Sequence, residues 1–445
     1  MVIFIYIEMR RSVMFLNRKK FMILFFAVIL IAGGFLPAQM NRGVAEQARD
    51  NKNKNPHIYY AAGVIKSPIL TSDKLSSEQW ALYNDGNFQI KEEQNKFPVY
   101  EKPFDQPMNP GKWQKKIKKH SQNPNVNLIR NPKHSFAGID INISEAWALY
   151  EIQRNVIVAM VDTGIDYNHE DLSDVMWING DEIPGNDIDD DGNGYTDDVY
   201  GWNFYDNTNE VCVGEEDDHG THGAGTIAAT KNNSVGIAGI ADYDSINIMS
   251  LKALGGKDGS GTTDSIIKSI KYAENNGASI CNLSLGTTSY DQELYDTIAD
   301  SSMLFIVAAG NGDSERGANI DSAPLYPASF DLDNIITVAN ISYDGNLSEN
   351  SNYGETSVDI AAPGSYILGL TANNGYAYMS GTSMAAPMVT GTAALLYTAD
   401  SELSLADIKN VILWTAASLD SLSGKVSSGG MLNAGAALQY IKHAE

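Results

Sequence analysis

Residues 155–161 read Asn-Val-Ile-Val-Ala-Met-Val, an apolar run that polar positions never interrupt by alternation. A strand wetted on one side alternates and a strand covered on both sides does not, so this run predicts a central strand of a parallel sheet. Residues 245–252, 279–285, 303–309 and 335–339 read the same way, and residues 220–229, 263–275 and 292–301 between them read as helices. Strand, helix and strand in repetition predict a doubly wound α/β fold whose site lies at the carboxyl ends of the strands. Asp162 directly follows one run and Asn311 follows another, which puts both on that edge.

Charge divides the chain. Residues 1–135 carry 21 Lys and Arg against 10 Asp and Glu, whereas residues 136–445 carry 10 against 45. The acidic part, at its length, suits one large catalytic domain (residues 136–445), and its charge argues against nucleic acid or an anionic membrane as partner. Arg18-Lys19-Lys20 followed by an apolar run to Leu36 reads as a secretory signal or an uncleaved anchor within residues 1–40, so the protein is expected outside the cell. Residues 41–135, with the lysine run at 112–119, read as a basic pro-region or linker that could dock on the acidic domain as its own inhibitor. Cys212 and Cys281 are the only thiols and read as unpaired. A monomer is expected.

Three glycine-bearing turns carry an acid, an imidazole and a hydroxyl: Val161-Asp162-Thr163-Gly164, His219-Gly220-Thr221-His222-Gly223 and Gly381-Thr382-Ser383-Met384-Ala385-Ala386-Pro387. A serine hydroxyl barely attacks an amide at neutral pH unless a base takes its proton and a buried acid orients that base. Residue type alone leaves Asp166 open as the acid, His222 as the base, and a helix N-cap role for Ser383. Met384, if exposed beside the nucleophile, would crowd the site on oxidation.

These turns, together with Asn282-Leu283-Ser284-Leu285-Gly286 and Ala308-Ala309-Gly310-Asn311, follow the order and approximate spacing of the subtilase superfamily, which residues 139–437 resemble. The resemblance implies a mostly seven-stranded parallel sheet flanked by helices, and serine endopeptidase activity on polypeptides. It further implies Ser383 as nucleophile, His219 as general base, Asp162 as the orienting acid and Asn311 as a donor to the oxyanion. Ser284, Leu285, Gly286 and Gly259, Ser260, Gly261 match the family's two substrate-binding rails. Ala308, Ala309 and Gly310 would wall an apolar pocket for the residue before the scissile bond, with a preference for hydrophobic side chains. A catalytically silent subtilase fold serving as a binding module is the alternative.

Residues 187–198 read Asp-Ile-Asp-Asp-Asp-Gly-Asn-Gly-Tyr-Thr-Asp-Asp, acids at alternate positions and glycine at the sixth. That spacing resembles the start of an EF-hand loop and predicts Ca²⁺ on Asp187, Asp189, Asp191, Asn193, Tyr195 and Asp198, although flanking helices are not evident.

Overall fold

The computed structural model describes residues 71–90, 99–100, 134–241, 244–256, 258–312 and 316–443. The expected signal segment and the lysine run at 112–119 lie outside these residues. The elements in chain order are β1 (Val99–Tyr100), α1 (Ile143–Leu149), β2 (Val156–Asp162), β3 (Gly201–Asn203), α2 (Asp218–Ala228), β4 (Ile246–Lys252), β5 (Leu254–Gly255), β6 (Ser260–Gly261) and α3 (Thr263–Asn275). They continue with β7 (Ile280–Leu283), α4 (Gln292–Asp300), β8 (Leu304–Ala308), β9 (Ile335–Ile341), β10 (Ile360–Pro363), β11 (Ile367–Thr371) and β12 (Gly375–Met379). The last are α5 (Thr382–Ala399), α6 (Leu405–Trp414), β13 (Ala417–Ser418), β14 (Gly430–Met431) and α7 (Ala434–His443).

The main sheet has the order β13-β14-β10-β9-β8-β7-β2-β4-β3. Every neighbouring pair from β14 to β3 is parallel, and only β13 runs against its neighbour. The seven parallel strands from β10 to β3 are thus extended at one edge by two short ones. The runs read as covered on both faces are so: β7, β8 and β9 are buried throughout, and β2 at all but one position. After β2 the chain goes to the edge at β3, returns to β4 on one flank of β2, then crosses to β7 on the other. Asp162, the last residue of β2, therefore sits where the chain order diverges, the place where open α/β sheets form crevices.

The helices begin where local chemistry starts them. Thr262 caps α3 by accepting from Ser265 N–H, and Asp291 caps α4 by accepting from Leu294 N–H. α5 differs in kind: every residue except Tyr397 is buried, as for a helix apolar on all sides, and it packs across β7, β8, β9 and β10 and against α2.

Residues 71–90 depart from the expected boundary at 135. Trp80 is 2% exposed and belongs to the same core as the sheet. Its indole Nε1–H donates to the Ser365 carbonyl at 3.0 Å, and the Gln79 amide both donates to and accepts from the Ala238 backbone. Asp73 accepts from the Asn232 and Asn233 N–H groups. β1 then pairs in parallel with β12. The folded unit thus begins well before residue 135, held by Trp80, Ala81 and Leu82 in the core and by side-chain and backbone hydrogen bonds that leave no periodic signal.

Candidate active site

His219 Nδ1 lies 2.6 Å from Asp162 Oδ1 and 2.8 Å from Oδ2, both residues being buried. With Nδ1–H donating to the carboxylate, Nε2 carries the lone pair in the neutral ring. His219 Nε2 is buried and has no hydrogen-bond partner among the described residues.

The motif residues around this pair have local reasons. Gly220 N–H donates to Thr163 Oγ1 at 3.1 Å, and Asp166 N–H donates to Thr221 Oγ1 at 3.0 Å, so the two turns bond to one another through their threonines. A Cβ on Gly220 would overlap the Gly164 carbonyl. Gly164 itself has φ +104°, and a Cβ there would lie 2.6 Å from Asp217 Oδ1. Glycine at both positions is what lets the acid and imidazole turns close together.

Ser383 lies in the first turn of α5 and is 4% exposed. Four residues on, Pro387 has no N–H to give to the Ser383 carbonyl, and Ser284 Oγ donates to it instead at 3.1 Å. Thr390 Oγ1 bonds Asn282 Oδ1, and Asn282 Nδ2 bonds Ser284 Oγ, so a chain of side chains ties the end of β7 to this helix. The Ser383 hydroxyl donates to the Ser284 carbonyl at 3.4 Å, a long bond, and is not bonded to His219. Asn311 Oδ1 accepts from Thr382 N–H at 3.0 Å, which orients its Nδ2 as the donor, while Gly310 N–H donates to Thr382 Oγ1. The nucleophile turn and the Ala308–Asn311 block are therefore bonded directly. Ser284, Leu285 and Gly286 follow β7, and Gly259 leads into Ser260–Gly261, which pairs with β5 as a hairpin.

The competing residues have other partners. His222 Nε2–H donates to the Ile367 carbonyl at 2.9 Å, across to β11. Asp166 accepts from the Asn168 and Asn373 N–H groups and closes loops. Met384 is 1% exposed and belongs to the core, so the exposure on which its oxidation beside the nucleophile depended is not met.

Lys252 was missed in the sequence. It ends β4 fully buried, and its ammonium donates to the Thr163 carbonyl at 2.6 Å, to Asp217 Oδ1 at 2.7 Å and to Glu216 Oε1 at 3.0 Å. Burial raises the Asp217 carboxyl above its ordinary pKa, and Lys252 offsets only part of that rise. One cation thus joins the turn after Asp162 to the residues before His219. A lysine closing an apolar run was the only signal for it.

The acidic loop is organised differently from an EF-hand: it lies between a 3-10 turn (Ser173–Val175) and β3, with no flanking helices. Among the described residues one group of three acids brings a ligand oxygen each within 4.8 Å of the others: Glu182, Asp189 and Asp191. Glu182 lies outside the expected span. Glu182 is buried and accepts from the Asp190, Asp191 and Asp197 N–H groups, while Asp198, also buried, accepts from Asn179 at 2.7 Å, Asn193 at 2.9 Å and the Tyr272 hydroxyl at 2.5 Å. Asp187 is outside that group of three, its N–H donating to Asp197. The Tyr195 ring packs against Trp202, Phe204 and Tyr272. Asn193 N–H bonds both Asp189 and Asp191. Burial raises the Asp191 carboxyl, but hydrogen bonds, those from Asn179 and Asn193 among them, outweigh it and hold the pKa below its ordinary value.

Known proteins resemble this chain. Thermitase of Thermoactinomyces vulgaris is 36% identical over 305 residues, covering 67% of this chain and 94% of that protein. Subtilisin-like protease 1 of Plasmodium berghei (strain Anka) is 32% identical over 298 residues, 62% of this chain, and the chain spans only 48% of that protein's length. A solved protease of Pseudoalteromonas arctica PAMC 21717 superposes with a TM-score of 0.53 at 27% identity, covering 68% of this chain and 94% of that one. The sequence profile of the Subtilase family matches residues 153–433, well over half the chain, so with its parallel sheet and its paired Asp162 and His219 this protein belongs to the subtilase family of subtilisin-like serine peptidases.

Proposed function

We propose that the protein is a serine endopeptidase that cleaves polypeptides through an acyl-enzyme on Ser383. The observation that carries this reading is the buried, unpartnered Nε2 of His219, an imidazole whose other nitrogen Asp162 holds at 2.6 Å. A buried polar atom without a partner costs about 1–3 kcal/mol, and a site that retains one implies work for it. In the proposed reaction the Ser383 hydroxyl turns from its long bond to Ser284 toward Nε2 and gives up its proton there. Catalytic hydrogen bonds that are loose without substrate often tighten when it binds. Oγ then bonds the scissile carbonyl carbon while Asn311 Nδ2 and the Ser383 N–H receive the oxyanion. The His219 proton passes to the leaving amine as the C–N bond breaks, and water repeats the sequence to release the acid. The substrate's extended backbone would lie between Ser284–Gly286 and Gly259–Gly261.

A fluorophosphonate probe tests the reading. It should label Ser383 in the native protein and fail after Ser383→Ala or His219→Ala; an intact fold that takes up no label would make this a silent binding module.

The same reading includes Ca²⁺ on Glu182, Asp189 and Asp191, whose hard anionic oxygens suit that ion and repel one another without it. Calcium titration followed by protease sensitivity of residues 182–198 would test it. It also includes a monomer that acts after export, supported by the apolar run after Lys20, and docking of the basic segment on the acidic domain. Sequencing the amino terminus of the exported protein tests export. Adding a peptide of residues 101–133 in trans tests docking, which should inhibit at low salt and lose effect at high salt.

A further inference from the structure

We propose that Leu325 closes the pocket for the residue preceding the scissile bond, so that substrates with glycine, alanine or serine there are cleaved in preference to those with aromatic or long aliphatic side chains. This rests on the peptidase reading above and gives its substrate class.

Two segments border the space beside Ser383. One is Ser284–Gly286, whose first carbonyl accepts from the Ser383 hydroxyl; the other is Ala308–Gly310, which leads into Asn311. Leu325 lies between them. A Cβ built on Gly286 would come within 2.8 Å of Leu325 Cδ2 and 3.1 Å of its Cγ, and a Cβ built on Gly310 would overlap the same Cδ2. One methyl group therefore rests on both walls, which are glycine where it touches them.

The position is fixed by backbone bonds. Thr287 and Tyr326 exchange hydrogen bonds of 2.8 and 2.7 Å, which clamps the residue after Leu325 to the residue after Gly286. Leu325 N–H donates to Ser329 Oγ, and the Leu325 carbonyl accepts from Ser329 N–H at 2.7 Å. The side chain is only partly buried, so its outer carbons form a surface of the space and are not core alone. An aromatic substrate side chain would have to displace four carbons held in this way, whereas a methyl or a hydrogen would not. Read from Ala308, Ala309 and Gly310 alone, the pocket is apolar; with Leu325 in place it is also shallow.

The test compares hydrolysis of succinyl-Ala-Ala-Pro-Ala and succinyl-Ala-Ala-Pro-Phe p-nitroanilides by the full chain, with active sites counted by fluorophosphonate. Wild type should favour the alanine substrate by about 10-fold or more in kcat/KM, within the range that small volume differences give an apolar pocket. Leu325→Ala should cut that ratio about 10-fold or more, chiefly by raising the phenylalanine rate. Leu325→Met, similar in volume and unbranched, should fall between if the alanine variant folds poorly. Wild type that cleaves the phenylalanine substrate as well as the alanine one would overturn the proposal, as would a fully labelled Leu325→Ala with an unchanged ratio. Absence of both label and hydrolysis would instead remove the peptidase reading, and this proposal with it.

Discussion

Lys252 Nζ lies 2.7 Å from Asp217 Oδ1, and neither side chain reaches solvent. Asp217 Oδ2 meanwhile accepts from the Val213 and Gly214 N–H groups, so the carboxylate is held on both sides. Removing one partner of such a pair leaves a charge buried without compensation, at a cost of about 3–5 kcal/mol. Lys252→Met is therefore expected to lower stability by that amount in urea unfolding. Because the lysine also holds the Thr163 carbonyl, kcat should fall more than KM changes. A variant with unchanged kcat would separate this cluster from the Asp162–His219 pair.

Thr382 N–H holds Asn311 Oδ1 at 3.0 Å, and in the proposed reaction Asn311 Nδ2 would meet the developing oxyanion. Asn311→Ala should lower kcat about 10²- to 10³-fold, a magnitude taken from subtilisin, with KM little altered. Single-substrate kinetics decide it, and a KM effect alone would move Asn311 from the reaction to ground-state binding.

Two buried groups on one turn respond to acid in opposite directions. Burial lowers the pKa of His169 below 6.5, so the unfolded chain takes up that proton more readily and stability from this group is lost as pH falls below 6.5. Burial pushes the Asp171 carboxyl up to about 6 from 3.8, so the folded chain holds that proton better and stability through it rises as pH falls from 7 toward 4. On acidification from pH 7 to 5 the urea midpoint in chelator should therefore rise more, or fall less, in His169→Gln than in wild type. Equal behaviour of the two proteins would assign the pH response elsewhere.

Burial pushes the Cys212 thiol up to about 12, with Asp217 and Asp166 adding to the effect, and Cys281 is enclosed in β7. Only the thiolate reacts, and its scarcity outweighs its greater nucleophilicity, so alkylation at pH 8 should be about 10- to 100-fold slower than for a free cysteine. Thiol reagents should leave peptidase activity intact over minutes, and rapid loss of activity with labelling at Cys212 would contradict this.

Chelation should act first on the acidic loop. With Glu182, Asp189 and Asp191 converging, removal of a bound Ca²⁺ leaves like charges together. EDTA should lower Tm by several degrees, and Asp189→Asn should reduce that sensitivity. Scanning calorimetry with and without EDTA measures both, and a Tm indifferent to EDTA would argue against a cation in this loop.

The sheet was readable because its strands are covered on both faces and show it as unbroken apolar runs, Val156–Asp162 most plainly. The Asp162–His219 pair was readable because its turns need small neighbours in fixed order: Gly164 and Gly220 let two turns touch, and those glycines are visible as letters. What was not readable lacks a period or a local partner. Lys252 ends a strand like many exposed lysines, and only the fold brings Asp217 to it from 35 residues away. Glu182 joins Asp189 by a bend that no spacing rule describes. Leu325 acquires meaning only once Gly286 and Gly310 stand on either side of it.

The seating of Trp80 beneath the Ser365 carbonyl bears on how this chain would behave when nicked. A cut between residues 91 and 133 would sever the backbone but leave residues 71–90 attached through the indole, the Gln79 amide and the Asp73 carboxylate. Such a protein would migrate as one species under native electrophoresis and as two fragments in detergent, and the smaller fragment would come away only when the larger one melts.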